Sequence, residues 1–205
     1  MKMTKIALAA VLAMGAASAN AAGLYAEVGL GSVDVSSTTT PSIPATANAD
    51  YDSVFSVGVG YKLNERFGLE AGYNNAGSGS FTTTYTAAVG QRSAGDVARG
   101  DAKNSALYFG GNITFAVTDK IDFIARAGIA NWETEYSSVT INNTAVTLPS
   151  VDGTDPYYGL SVAYKLNDQM SIGLGWLRME RSYSANGYST ETKGDITSAN
   201  LRYSF

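Results

Sequence analysis

The feature that most constrains the fold is a stretch of two-residue alternation, broken once. Residues 57–73 read Val-Gly-Val-Gly-Tyr-Lys-Leu-Asn-Glu-Arg-Phe-Gly-Leu-Glu-Ala-Gly-Tyr. On either side of the polar break every second residue is apolar and those between are small, polar or charged, which is the period of a β-strand. Two such strands around a short break make a hairpin. The design returns at residues 161–176, where Tyr164-Lys165-Leu166-Asn167-Asp168 repeats Tyr61-Lys62-Leu63-Asn64-Glu65 and is followed by Met-Ser-Ile-Gly-Leu-Gly-Trp.

The second face of these strands decides their surroundings. A soluble sheet turns Lys, Glu and Thr to water, whereas here the non-apolar face is mostly Gly, Ser and Ala with isolated charges. Such a face suits a crowded interior. The apolar set, Phe55, Val57, Val59 and Tyr61 with Phe67, Leu69, Ala71 and Tyr73, begins and ends in aromatics. That arrangement fits a band of lipid contact edged by interfacial rings.

The N-terminus agrees. Lys2 and Lys5 precede an apolar run over 6–17, too short to span a bilayer, and small residues around 17–21 form a cleavage site, so 1–21 reads as a secretory signal peptide and 22–205 as one barrel domain. Removing the two lysines of that peptide from 14 basic and 18 acidic residues leaves a net charge of −6. An acidic exported chain is a poor nucleic-acid ligand. With no cysteine there is no disulfide framework, and no later segment is apolar for the roughly 20 residues that a spanning helix needs.

Eight strands are expected, at 24–33, 53–62, 67–76, 105–118, 120–132, 156–165, 169–181 and 195–205. Short connections at 63–66, around Asp119 and at 166–168 alternate with long polar ones at 34–52, 77–104, 133–155 and 182–194. The expected fold is all-β: an 8-stranded antiparallel up-and-down transmembrane β-barrel with tight turns at the end that carries both termini. Parity places two aromatic girdles on the outside. Phe55, Tyr73, Phe109, Tyr158 and Trp176 lie near the long loops, and Tyr61, Phe67, Phe115, Tyr164, Tyr203 and Phe205 near the turns.

The pattern resembles the OmpA-like outer-membrane β-barrel family. The residues carrying the resemblance are the eight-strand order, the turn Val117-Thr118-Asp119-Lys120-Ile121-Asp122-Phe123 leading into Ala125-Arg126-Ala127-Gly128, and the closing Leu201-Arg202-Tyr203-Ser204-Phe205. It implies a Gram-negative-type outer membrane, with outer-membrane lipid and lipopolysaccharide around the barrel. It also implies that the terminal Phe205 is a signal to the outer-membrane assembly machinery. No peptidoglycan-binding domain follows Phe205, so the resemblance implies no cell-wall tether.

By parity Glu27, Glu70, Asp122, Arg126 and Arg202 point inward, with Lys62 and Lys165 nearer the turn end. An 8-stranded barrel is just wide enough for side chains to fill it, and enclosed charges must pair. The expected network joins Glu27 and Glu70 to Arg126 and Arg202, a local charge of zero. It reads first as a static plug and second as a gate to a narrow ion path.

Enzymatic chemistry finds few candidates. The absence of histidine removes Ser-His, Cys-His and Asp-His arrangements and the usual zinc sites. A Ser161–Lys165 dyad would be separated by about 13 Å along one strand face. Asp152 and Asp155 lack the ligand count of a calcium loop and read as an ordinary turn. Gly58-Val-Gly60 and Gly29-Leu-Gly31 lie within strands and cradle no phosphate. No catalytic residue, metal or cofactor is expected. The long loops, with Arg92 and Arg99 in one and Glu133, Glu135 and Tyr136 in another, are the candidates for contact with host or phage surfaces. The chain therefore reads as a monomeric, non-enzymatic barrel serving envelope integrity and surface contact, with a porin-like pore as the alternative.

Overall fold

Asn64 and Asn167, the shared asparagines of the repeat, each close a turn in the same way. The Asn64 side-chain oxygen accepts from the amides of Arg66 and Phe67, both at 2.9 Å, and that of Asn167 accepts from Gln169 and Met170 at 2.9 and 2.8 Å. Thr118 does the same for Lys120 and Ile121 through its hydroxyl. These side chains satisfy amides that the tight reversal leaves without a ladder partner.

The computed structural model describes residues 23–40, 42, 45–51, 53–88, 92–185 and 188–205, so the expected signal peptide lies outside the described residues. The strands are β1 (Leu24–Thr40), β2 (Ala45–Tyr51), β3 (Val54–Lys62), β4 (Phe67–Tyr85), β5 (Val97–Ala116), β6 (Ile121–Ile141), β7 (Thr144–Ala145), β8 (Val151–Lys165), β9 (Met170–Ala185) and β10 (Tyr188–Ser204). All pairings are antiparallel. β2 pairs with β4 beyond the end of β3, and β7 is a short return on β6. The other eight form a ring, β1-β3-β4-β5-β6-β8-β9-β10, closed where β10 pairs with β1. The fold is the expected 8-stranded barrel.

The strands run further than expected. Much of the four stretches read as polar loops is strand that carries the ring onward: β1 and β10 stay in register as far as Thr40 and Ser189. The reason is that Thr- and Ser-rich segments accept a pleated backbone, and each extended strand satisfies its neighbour's amides. Threonines and serines also meet across this seam, Ser37 with Thr192 at 2.9 Å and Thr39 with Thr190 at 3.0 Å. The segment around Asp152 and Asp155, expected to be a turn, is the start of β8 for the same reason.

A bulge in β4 changes which residues face inward. The register with β5 slips between Asn75 and Ser78, Gly77 takes φ +64°, and its amide donates to the Asn75 side chain at 2.8 Å. Asn74 and Ala76 face the lumen before the slip, Phe81 and Thr83 after it. A positive φ at this point is open to glycine without strain.

The outer face is apolar where lipid would cover it. Leu30, Phe109 and Leu174 are 66, 58 and 69 % exposed, values a soluble protein rarely gives to a contiguous band. Phe55 and Tyr158 stand exposed at one edge, and Tyr61, Phe67, Phe115, Tyr164, Tyr203 and Phe205 at the other. Trp176 lies half-buried against Tyr158, ring centroids 5.9 Å apart. Tyr73 departs from its expected place in the girdle, because it is only 5 % exposed. Val57 and Leu107 pair with it on either side, and the amide of Asn75, two residues on, reaches its hydroxyl at 3.4 Å.

Candidate functional site

The lumen has two storeys, and the lower is a polar plug. Glu27 on β1 accepts from Nε and Nη2 of Arg202 on β10 at 2.9 and 2.7 Å, and from Nη1 of Arg126 on β6 at 3.3 Å. Arg126 Nη1 also lies 3.9 Å from Glu70 on β4. The Glu70 carboxylate takes a hydrogen bond from the Tyr157 hydroxyl at 2.9 Å and from the Asn112 amide at 3.0 Å, while Asn112 also donates to the Tyr25 hydroxyl at 2.8 Å. Arg202 in turn lies over the Tyr25 ring, 4.2 Å from its centroid. Two carboxylates and two guanidiniums thus neutralise one another with every carboxylate oxygen partnered, as buried charge requires, and Arg126 Nε is left without a hydrogen-bond partner.

Alternation explains how six strands place these groups at one level, since each side chain occupies an inward position of its strand. Glycine explains how they fit. A Cβ at Gly60 would collide with the Tyr25 ring, one at Gly72 with Tyr108, and one at Gly128 with Tyr157. The small residues of the inner face are therefore spaces occupied by inward tyrosines on neighbouring strands.

The remaining expected site residues separate from this cluster. Asp122 pairs with Lys165 at 2.9 Å, nearer the turns, so it stands apart from the four-charge network. Lys62 is exposed. Ser161 accepts from Arg126 Nη2 at 3.4 Å, which leaves it engaged elsewhere than with Lys165. Asp155 accepts from the Trp132 indole at 2.7 Å and from the Ser182 amide at 3.2 Å.

The upper storey differs in character. Above the plug Val54, Ala106, Ala130, Trp132, Met179 and Ile196 form a buried apolar cluster, and beyond it opens a cavity of about 640 Å³. Phe81 and Tyr136 line it edge to face, centroids 6.0 Å apart. Arg181 reaches into the same wall and donates to Asn104 at 2.7 Å.

Sequence reasoning missed Tyr25, Tyr108, Asn112 and Tyr157 in the plug and the whole of the cavity. Parity carried the signal for the first group: Tyr25 alternates with Glu27, and Tyr157 with Gly159. Their aromatic character pointed instead to the lipid face. For the cavity the bulge at Asn75–Ser78 hid Phe81, and the polar composition of the upper strands hid the rest.

A closed ring with an apolar outer band and a side-chain-filled lumen is an integral membrane β-barrel. The family described as outer membrane protein β-barrel domain matches residues 5–205. The chain belongs to that family, in keeping with its OmpA-like resemblance, and its place is the outer membrane. Its fold is similar to the crystal structure of Neisserial surface protein A, with TM-score 0.58 at 11 % identity over 90 % of this chain and 98 % of that one. It is also similar to the outer membrane protein AlkL determined in DMPC lipid bilayers, with TM-score 0.51 at 12 % identity over 92 and 93 % of the two chains. None of the curated proteins matches the chain significantly in sequence.

Proposed function

We propose that this protein is a closed, non-enzymatic, monomeric barrel that supports envelope integrity and carries a raised β-rim for surface contact. The observation that carries the reading is the plug. Beside Glu27 lie a space of about 30 Å³ against Arg126 and one of about 10 Å³ against Arg202, each with room for one or two waters at most. The rim adds to it, since the strands run well past the aromatic edge at Phe55 and Tyr158 and are paired along that length. On this reading residues 1–21 are removed on export, and lipid and lipopolysaccharide surround the girdles. The assembly machinery reads Phe205, and a host or phage surface is met at the rim.

The competing reading is a narrow gated pore. It is favoured by the position of Arg126 between two carboxylates, at 3.3 Å from Glu27 and 3.9 Å from Glu70, an arrangement that could exchange partners. Single-channel recording separates the two.

The surface role is tested by a rim variant in which residues 83–98 are replaced by Asn-Gly, leaving the register pair Thr82 and Arg99 joined by a two-residue hairpin turn. Cells carrying it should keep the detergent resistance given by the parent protein and lose attachment to host cells or phage. Unchanged attachment would contradict the surface role, and unchanged detergent resistance on deleting the whole protein would contradict the envelope role.

A further inference from the structure

Among the described residues Arg181 is a cation without a salt-bridged carboxylate, set in the wall of the upper cavity. Its Nη1 donates to Asn104 Oδ1 at 2.7 Å and approaches Thr134 Oγ1 at 3.5 Å, and its guanidinium lies 5.6 Å from the centroid of the Trp132 ring. Its Nε is buried and has no hydrogen-bond partner. Among the described residues no carboxylate comes within 4.0 Å of it. Asp155, the acid on the same wall, is engaged by the Trp132 indole and the Ser182 amide. By contrast Arg126, Arg178 and Arg202 are each paired with an acid. Burial of a charge without a paired complement is costly, so an anion entering the cavity would complete the arrangement.

The cavity states the rest of that anion's chemistry. Its volume of about 640 Å³ falls in the range of small-molecule sites. Phe81, Trp132 and Met179 give it apolar surface among polar groups such as Asn74, Asn104 and Thr134, and the exposed Tyr183 and Leu148 mark its mouth at the rim. The plug below closes the other end. Arg181 Nη1 is engaged by Asn104 and Nε is shut off from the chamber, while Nη2 makes no hydrogen bond among the described residues; one guanidinium edge in a largely apolar chamber open on one side suits a molecule with a single carboxylate and an apolar body.

We infer that the upper chamber binds an amphiphilic monocarboxylate, its carboxylate on Arg181 and its apolar body against Trp132, Phe81 and Met179. This goes beyond the structural and surface role and does not depend on it, because the chamber lies above the plug whether or not the plug conducts. The planar, multi-donor guanidinium fixes the acid by charge-assisted hydrogen bonds, and the lining selects for apolar bulk.

The chain has two tryptophans, and only Trp132 faces the chamber. The test uses the Trp176→Phe protein in lipid vesicles and follows quenching of Trp132 by ω-bromodecanoate and by the neutral ω-bromodecanol. Saturable quenching by the acid is expected, weaker by about tenfold or more for the alcohol, as loss of one charged hydrogen-bonded contact implies. Arg181→Gln should lower the acid's affinity to that of the alcohol, and Arg181→Lys should restore part of it. Equal affinity for acid and alcohol in the Arg181 protein would overturn the inference, leaving a merely apolar chamber. Quenching that never saturates would overturn it as well, since that is partition into lipid. The acid–alcohol comparison needs no substitution at Arg181 and stands even where those variants fail to fold.

Discussion

Glu27 and Arg202 are register partners across the seam where the first and last strands close the barrel, with Nε and Nη2 of Arg202 both donating to one Glu27 oxygen at 2.9 and 2.7 Å. The ion pair sits inside the closure that joins the most distant parts of the sequence, a pairing that forms against the largest loop entropy. Glu27 also holds Arg126, so Glu27→Ala leaves two enclosed guanidiniums short of their acid. It should destabilise the barrel by about 3–5 kcal/mol. Urea unfolding in lipid vesicles reads the loss, and a change below about 0.5 kcal/mol would remove the network from the account of stability.

The tyrosines of the plug depend on glycines opposite them. A side chain at Gly72 meets the Tyr108 ring, so Gly72→Val should cost about 1–3 kcal/mol by overpacking. The paired substitution Gly72→Val with Tyr108→Ala relieves the collision, and its cost should fall below the sum of the two single changes. Strict additivity in the urea midpoints would show that the two positions do not touch.

The repeated turns make a separable contribution. Asn64→Ala and Asn167→Ala each remove a side-chain oxygen that accepts from two amides, at an expected cost of about 0.5–1.5 kcal/mol apiece. The turns lie in different hairpins, so the costs should add. Aspartate at either position keeps the acceptor and should lose little.

At the rim Asp96 holds two strands' ends together. It accepts from the Ser93 amide and from the Asn142 side chain, both at 2.8 Å, and these hydrogen bonds, the backbone one foremost, hold its pKa below the ordinary 3.8. A lowered folded-state pKa gives stabilisation that is complete above the ordinary carboxylate value and disappears as pH falls through the folded one. Hydrogen exchange of the Ser93 amide should therefore show the same protection factor at pH 7 and pH 5 and a decline only below about pH 4. A decline already at pH 5 would contradict the assignment.

The ring itself was legible because strands with one lipid face and one crowded face contrast sharply at a period of two, as Phe67, Leu69 and Ala71 against Gly68, Glu70 and Gly72 do. That contrast fails where both faces are wet. Ser36 to Thr40 carries no apolar alternation, so β1 looks as though it stops near Val33 although its backbone ladder with β10 continues. The charges Glu27, Glu70, Arg126 and Arg202 were legible because an ionised group on a barrel strand has only the lumen to face. Tyr157 was not, because tyrosine is suited to the lipid boundary and to a polar interior alike, and Tyr73 shares the outward face with Val57 and Leu107 but is covered there. On β4 the chamber lining of Phe81 and Thr83 depends on a bulge at Gly77, since one inserted residue reverses every later inward position of that strand.

The central claim is that the lumen is closed by the Glu27–Glu70–Arg126–Arg202 plug with its tyrosines. Single-channel recording of the refolded mature chain in a planar bilayer tests it most directly, with insertion verified by the heat-dependent shift in gel mobility. The account predicts a silent bilayer for the parent protein and discrete steps once Glu70→Ala and Arg126→Ala together open the middle of the plug. Discrete steps from the parent protein, altered by either single substitution, would contradict it and establish the interior charges as the lining of a gated path.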